Sequence, residues 1–422
     1  MRVTPVVAVC LASALAAVAA PPAVAADPTV EQVMRGPAFQ TAAAHLDADR
    51  ERIVDEAIAL QQIPAPTGQE ARKAQAFADR LRAQGLRDVA IDAEGNVTAV
   101  RPGAGRGMVA VVAHLDTVFA ADADLTVRRE GDRIYAPGLA DDSHGLAVLL
   151  GLARALDAAG ATHEADILFV GSVGEEGLGD LRGVKHLLGA GPYRDRITRF
   201  IALDGTDPAE IVNRGLGSKR YRVTFTGPGG HSYLAFGTVN PVYALADATT
   251  RLARLRVPAG STLSVGVVQG GTVVNAIPTR AEMQVDMRSL KRAHLDALER
   301  RLLRVVRRAA RDENRARETK TGRIEVSPVK VGDRPSGVTR AGDPLVRIAR
   351  DAVAAHGWTP RLSTQSTDAN VPMSRGIPAV TLASGLGGGE HSAEEHLDVE
   401  PGAHARQLRM NLAAVMAAAG AA

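Results

Sequence analysis

The mature part of this chain has no cysteine. Cys10, the one cysteine among the 422 residues, lies in an N-terminal stretch whose pattern predicts its removal. Disulfides and thiolate metal ligands are therefore excluded from the mature protein. Any metal site has to be built from histidine, aspartate and glutamate side chains.

Net charge is also nearly absent. The 50 Lys and Arg residues balance 47 Asp and Glu residues to a formal charge of +3, with both signs intermixed. This balance argues against a dedicated nucleic-acid binder. The sequence has no internal repeat and no Gly-x-Gly-x-x-Gly after a predicted strand. With 45% apolar residues it is typical of a soluble globular protein, and 422 residues predict two domains rather than one.

Residues 1–26 have the pattern of a secretory signal peptide. Arg2 is followed by an apolar run over residues 6–20, which is too short to span a membrane, and then by an A-x-A-like end. We therefore predict cleavage near Ala25 or Ala26 and a periplasmic or secreted mature protein that does not stay at the membrane. A retained membrane anchor is the alternative.

One stretch, residues 108–118, organises the rest of the chain. It begins with small and β-branched apolar residues, the pattern of a strand buried on both faces of a parallel sheet. His114 and Asp116 follow two residues apart, so they leave the same face at the strand's carboxyl end, where open α/β sheets place active sites. An imidazole beside a carboxylate suits a metal. Taken alone, however, the motif indicates only a core histidine paired with an aspartate.

Further acids follow other predicted elements. Asp141 and Asp142 precede a predicted helix, where one of them could simply be a cap. Glu175 and Glu176 end a buried strand, which is costly unless something positive neutralises them. Asp204 follows a third apolar strand. This recurrence of acids at strand ends predicts a cation site.

The predicted cation site has five nitrogen and oxygen ligands, the fifth being a histidine in a Gly-rich loop. This set suits Zn²⁺, with Mn²⁺ or Co²⁺ as alternatives, and five residues suffice for two metals if one carboxylate bridges. Glu175, left over beside the ligands, is the candidate general base. The predicted ligands are His114, Asp141, Glu176, Asp204 and His391.

The composition changes at Lys219, where strand and helix patterns follow in the order β-α-β-β-α-β, a ferredoxin-like unit. The α/β pattern then resumes, so we predict one domain interrupted by another. The second helix of the insert is rich in arginine; it could face an anionic partner, but interleaved acids favour a solvated face. We predict a signal peptide over residues 1–26, the first part of the catalytic domain over 27–217, the insert over 218–331 and the second part of the catalytic domain over 332–422.

From about Glu51 to the C-terminus, an ordered set of motifs resembles the family of peptidase T, glutamate carboxypeptidase and aminoacylase, which includes hydrolases similar to acetylornithine deacetylase. Each motif alone is weak, whereas the ordered set is very specific. The motifs are His114-Leu115-Asp116, Ala140-Asp141-Asp142, Glu175-Glu176-Gly177, Leu203-Asp204-Gly205, Gly229-Gly230-His231-Ser232, residues 270–278, Asp286-Met287-Arg288 and residues 391–395.

The resemblance implies an α/β fold in which a mixed-sheet zinc-peptidase catalytic domain is interrupted by a ferredoxin-like lid that also dimerises. By analogy Asp141 bridges two zinc ions, His114 and Asp204 complete one site, and Glu176 and His391 complete the other. Asp116 orients His114, and Glu175 activates the bridging water. The Asp141–Asp142 peptide bond is expected to be cis.

The resemblance also assigns three lid residues to the substrate. His231, Asn275 and Arg288 match positions that grip substrate or the tetrahedral intermediate, and His231 reaches across a homodimer. The guanidinium of Arg288 could bind a substrate carboxylate or only pair with Asp286 on the lid surface. Ser143-His144 depart from the Lys-Gly that is common in the family.

Three functions follow from these residues. The first is a secreted zinc exopeptidase, an aminopeptidase or carboxypeptidase for small peptides, which Asp at position 204 favours within the family. The second is an N-acyl-amino-acid amidohydrolase with the same two-zinc site. The third is a metal-stabilised binding protein without catalysis, and the retention of Glu175 counts against it.

Overall fold

The larger domain is built on a mixed nine-stranded sheet, in a computed structural model that describes residues 28–105 and 107–421. The strand predicted to organise the chain, Met108–His114, lies near its centre and is parallel to both neighbours. The strands in spatial order are Arg87–Ile91, Val97–Arg101, Asp166–Ser172, Met108–His114, Ile197–Leu203, Ala379–Leu382, Glu210–Gly215 and Gly337–Val338, with Arg361–Gln365 also beside Glu210–Gly215.

The central strand is buried along its whole length, as its sequence predicted. Val109 and Val111 pack into the hydrophobic core on one face of the sheet, and Ala110 and Val112 pack into a separate core on the other. Because side chains alternate along a strand, an uninterrupted apolar run supplies both faces.

Helices cover both faces of this sheet. Two of them cross closely at Gly151, where a Cβ would lie 2.5 Å from Cδ1 of Ile53, so a larger residue would force the Ile53 side chain to shift. The helices are Val30–Arg35, Pro37–Gln61, Ala71–Ala83, His144–Ala158, Arg182–Gly189, Pro344–Ala355, Asn370–Ser374 and Pro401–Ala419. A small sheet beside them frames the His391 loop, with the strands Gly387–Gly388, His396–Asp398, Arg133–Tyr135 and Arg128–Glu130.

The inserted domain, hereafter the lid, has its own hydrophobic core. Four antiparallel strands carry two helices on one face, and Met283, Val285 and Met287 point together into the core as predicted. The β-α-β-β-α-β order and the predicted fold class are confirmed. The elements in chain order are Gly217–Thr226, Pro241–Ala253, Ser261–Gly270, Arg280–Ser289, Arg292–Ala316 and Glu325–Arg334, with a two-stranded ribbon of Gly230–His231 and Ala276–Ile277.

The arginine-rich lid helix, Arg292–Ala316, presents exposed arginines along its outer face. Its interleaved acids pair with some of these arginines: Asp296 contacts Arg292, and Asp312 contacts Arg308 and Arg315. The same two acids also reach the buried Lys219 and Arg251 of the other lid helix. The face is exposed and carries interleaved acids, as predicted.

The strands that the sequence pattern did not predict include Arg361–Gln365 and Glu210–Gly215. Both are rich in polar residues, so neither shows a clear apolar run or alternation. The predicted signal peptide lies outside the described residues. Within residues 28–105 and 107–421, no helix has both the length and the apolar character that crossing a bilayer requires.

Candidate active site

The candidate site lies at the carboxyl ends of three neighbouring parallel strands. His114 is the last residue of Met108–His114, Glu175 and Glu176 follow Asp166–Ser172 closely, and Asp204 follows Ile197–Leu203 directly. Because these strands are hydrogen-bonded neighbours, their ends meet at one edge. A turn at Gly174, with φ of 66°, leads to the two glutamates and requires the left-handed backbone conformation that glycine adopts without strain.

Two imidazoles converge on one carboxylate at this edge. His114 Nε2 lies 2.8 Å from Asp141 Oδ1, and His391 Nε2 lies 3.0 Å from Asp141 Oδ2. His391 Nε2 is also 2.8 Å from Glu176 Oε1. One oxygen of Asp141 therefore faces each imidazole, as a carboxylate bridging two cations would.

The donor set fits a metal cation. His114, Asp141 and Glu176 each offer a ligand atom within 4.8 Å of the others. Hydrogen bonds to Asp141 and Glu176 raise the pKa of His391 to about 11, while burial and the nearby charge of Asp141 raise the pKa of Asp204 well above its usual range. Such carboxylates around imidazoles create a negative potential that divalent cations would neutralise.

Asp116 has a different main contact from the one expected. Nδ1 of His114 is 3.0 Å from the Asp116 backbone oxygen but 3.7 Å from its carboxylate Oδ1. The carboxylate instead accepts the backbone N–H groups of Glu175 and Glu176 at 3.0 and 2.9 Å, and the Thr67 hydroxyl at 2.8 Å. Asp116 thus orients the buried imidazole through its backbone and fixes the glutamate pair through its side chain.

Glu175 and Glu176 face different partners. Glu176 faces His391, whereas Glu175 is buried beside Arg334, whose Nη1 is 3.2 Å from Glu175 Oε1. Burial raises the pKa of Glu175 to about 8, against the opposing effect of Arg334. Glu175 therefore lies near the ligand group, but its own side chain contacts Arg334 rather than an imidazole.

Sequence reasoning missed Arg334 and assigned no role to two acids. Arg334 ends the last lid strand and also donates to the Glu175 backbone and to Ser366. Asp142 accepts the His114 N–H at 2.9 Å, and the Glu395 carboxylate accepts the N–H groups of Gly138, Ala140 and Asp141. Asp142 and Glu395 lie inside motifs that carry the family resemblance, and this position was the signal that could have identified them. No sequence pattern indicated Arg334. The Asp141–Asp142 peptide bond is cis, as expected.

The three predicted lid residues are not all at the site. Arg288 lines the same cavity of about 760 Å³ as Asp141, Glu175, Glu176 and Asp204, and its Nε also donates to Asp286 at 2.8 Å. His231 and Asn275 are exposed and do not line this cavity. His231 lies on the two-stranded ribbon and Asn275 lies next to it, where the Ser232 N–H donates to the Asn275 backbone oxygen.

Residues 110–414 match the family described as Peptidase family M20/M25/M40. The chain belongs to this family. The match covers more than half of the sequence and includes all five predicted metal ligands and Glu175. Members of the M20 family are metal-dependent hydrolases, so the predicted family and the predicted metallopeptidase class are confirmed.

The names of individual relatives indicate different activities. Carboxypeptidase G2 of Pseudomonas sp. is 26% identical over 316 residues, 72% of each chain. Succinyl-diaminopimelate desuccinylase of Corynebacterium glutamicum is 28% identical over 239 residues, 54% of this chain and 64% of that one. The crystal structure of aminopeptidase PepT from Bacillus cereus has a TM-score of 0.67 at 25% identity and covers 86% of this chain and 98% of that one. Both peptidases and deacylases are thus among the M20 relatives.

Proposed function

We propose that this protein is a periplasmic or secreted zinc-dependent exopeptidase that hydrolyses small peptides. The observation that carries the proposal is the placement of Asp141 between two imidazoles, with Glu175 buried beside the ligand group and unused by either imidazole. The location rests on the signal-peptide pattern of residues 1–26.

Asp141 would hold both zinc ions, with His114 and Asp204 on one side and Glu176 and His391 on the other. Cations bound there would lower the pKa of a water molecule and polarise the scissile carbonyl. Glu175 would accept the proton of the attacking water and pass it to the leaving amine. The backbone N–H bond to Asp116 and the side-chain contact with Arg334 would keep Glu175 in place.

The cavity supports a substrate with charged ends. Arg220 and Arg288 share the single carboxylate of Asp286, so one end of the cavity has a positive excess. Glu210 and Glu390 line the same cavity, and neither forms an ion pair within the described residues. A short peptide with a free carboxylate and a free amine matches this arrangement better than an acylated amino acid, which lacks the amine.

Arg288→Ala is expected to lower kcat/KM for a dipeptide by a factor of about 10 or more, with a much smaller loss for its C-terminal amide. The reason is that a guanidinium binds a carboxylate through two parallel hydrogen bonds, and a single charge-assisted bond is worth about 1.5–3 kcal/mol. Arg288→Lys should cost nearly as much, because an ammonium cannot form the two-pronged contact.

The matched control is Arg280→Ala, an exposed arginine on the same strand that does not line the cavity. It should leave kcat/KM for both substrates unchanged. Equal losses on dipeptide and amide in Arg288→Ala would show that Arg288 grips the scissile carbonyl or supports the lid, and would favour recognition of the amino end.

The second candidate is an N-acyl-amino-acid amidohydrolase, which the 28% identity to a desuccinylase favours. A panel of dipeptides, tripeptides and acylated amino acids, tested on the zinc-loaded mature protein, separates the candidates. We expect the free dipeptides and tripeptides to be the better substrates. Faster hydrolysis of the acylated amino acids would reject the exopeptidase in favour of the amidohydrolase.

We also propose that two copies pair through the lid. The segment after His231 exposes three large apolar side chains, Tyr233, Leu234 and Phe236, each at least 81% accessible in the single chain. Apolar side chains clustered at this exposure are typical of protein interfaces. A second copy covering the segment would bring its His231 toward the partner's cavity, which would explain why His231 is remote from the cavity of its own chain.

His231→Ala is expected to lower kcat by a factor on the order of 10² while metal content and dimerisation stay unchanged, because it would remove one hydrogen bond to the tetrahedral intermediate. Phe236→Asp is the companion variant and should shift the protein toward monomer in light scattering, with activity falling in parallel. A fully active monomer would contradict the role of His231 across the dimer.

A further inference from the structure

A buried lysine next to the candidate active site has no role in the mechanism above. Lys73, near the start of the helix Ala71–Ala83, is only 2% exposed, and its Nζ donates to the Ser143 hydroxyl at 3.3 Å. Lysine is almost never fully buried unless its charge is compensated. The surroundings of this ammonium should therefore contain its counter-charges.

Those counter-charges are carboxylates that hold the site together. Burial lowers the pKa of Lys73 to about 8, and the opposing effects come from Asp116, Asp142, Glu395 and Asp141. The first three are themselves buried, and they come from three separate parts of the chain. The hydrogen bond to Ser143, the residue after Asp142, places Lys73 against the segment that carries Asp141.

Each of these three carboxylates binds backbone of the site. Asp116 accepts the N–H groups of Glu175 and Glu176. Asp142 accepts the N–H of His114, and its other oxygen is buried without a hydrogen-bond partner. Glu395 accepts three N–H groups around Asp141. The segments that carry the ligands and Glu175 are therefore fixed by carboxylates that would repel one another without a cation between them.

Besides the imidazole of His114, which faces Asp141 and the backbone of Asp116, Lys73 is the buried cation that remains for this group. The other buried lysine of the described chain, Lys219, pairs with Asp296 and Glu299 in the lid, and the buried Arg334 contacts Glu175. We propose that Lys73 is a positioning residue of the metal centre, whose ammonium balances Asp116, Asp142 and Glu395 and thereby sets the geometry of the ligand-bearing loops. The inference rests on the metal centre proposed above.

Lys73→Met is the direct test, because methionine keeps most of the apolar stem and removes the charge. We expect the affinity of the mature protein for Zn²⁺, measured by competition with a chromogenic chelator, to fall about 10- to 100-fold, as for other residues that support metal ligands. In the zinc-saturated enzyme kcat should fall at least about tenfold while KM changes less than about threefold, since substrate contacts are untouched.

Two controls separate charge from hydrogen bonding and from general stability. Ser143→Ala removes the hydrogen-bond acceptor but keeps the ammonium, and should change Zn²⁺ affinity less than about threefold, since one neutral hydrogen bond contributes little. Lys219→Met removes the matched buried lysine of the lid, and should lower Tm without changing Zn²⁺ affinity.

A double variant, Lys73→Ala with Ser143→Lys, returns a cation to the same space and should recover most of the Zn²⁺ affinity of the unaltered protein.

The outcomes are distinct. Unchanged Zn²⁺ affinity in Lys73→Met, with or without a lower Tm, makes Lys73 a structural residue like Lys219 and overturns the inference. If Lys73→Met does not fold, the charge-relocated double variant decides: recovered affinity supports the inference, and lost affinity or failure to fold overturns it. Unaltered protein that binds no Zn²⁺ would instead refute the metal centre itself.

Discussion

Glu175→Gln should retain its metals and lose turnover by a factor on the order of 10² or more. Glutamine has nearly the same size and keeps an oxygen that can accept from Arg334, but it cannot take a proton from water, and a positioned general base contributes about 10²–10⁴. The measurement is kcat on a good dipeptide substrate, together with metal content by elemental analysis of the same preparation.

The adjacent glutamate provides the matched control. Glu176 faces His391 rather than arginine, so Glu176→Gln should weaken binding of one metal and lose activity through that loss. Added Zn²⁺ should then restore part of the activity of Glu176→Gln and none of that of Glu175→Gln. A fully active Glu175→Gln, or metal loss in that variant alone, would mean that the two roles are exchanged.

The location of the site was predictable because it depends on local patterns. His114 and Asp204 end apolar runs, and runs of that kind are strands whose carboxyl ends meet when the strands are parallel. The division of roles between Glu175 and Glu176 could not be read from local pattern, because adjacent identical residues look alike in a sequence. Their separation depends on Arg334 and His391, at 159 and 215 positions along the chain from their respective partners.

The supporting residues were not predictable for the same physical reason. Lys73 looks like an ordinary exposed helix lysine until Ser143, 70 positions away, folds against it. Glu395 resembles its exposed neighbour Glu394 in sequence, yet only Glu395 reaches the N–H groups around Asp141. Such contacts join loops of distant parts of the chain, and neither hydrophobic period nor motif spacing encodes which residues meet.

Removal of the metals should abolish activity and destabilise the fold. Asp141, Glu176 and Asp204 are carboxyl groups that line one cavity, and the first two are buried, so taking away the cations leaves only imidazoles to balance their charge. Stabilisation by a bound ion grows as RT ln(1 + [L]/Kd), about 2.7 kcal/mol when free zinc is about 100 times Kd. Chelated protein should therefore show a lower Tm, which Zn²⁺ restores.

The stoichiometry decides whether Asp141 bridges. Titrating metal-free protein with Zn²⁺ should saturate near two ions per chain, with activity returning as the second ion binds. Asp204→Asn should weaken the ion beside His114 and spare the one held by His391 and Glu176, so its titration should split into a tight and a weak step. Mg²⁺ should not substitute, because it prefers octahedral oxygen ligands to imidazole. Saturation at one ion, or activity that survives complete chelation, would contradict a bridging Asp141. A bridging role requires each of its two oxygens, which face separate imidazoles, to bind its own cation.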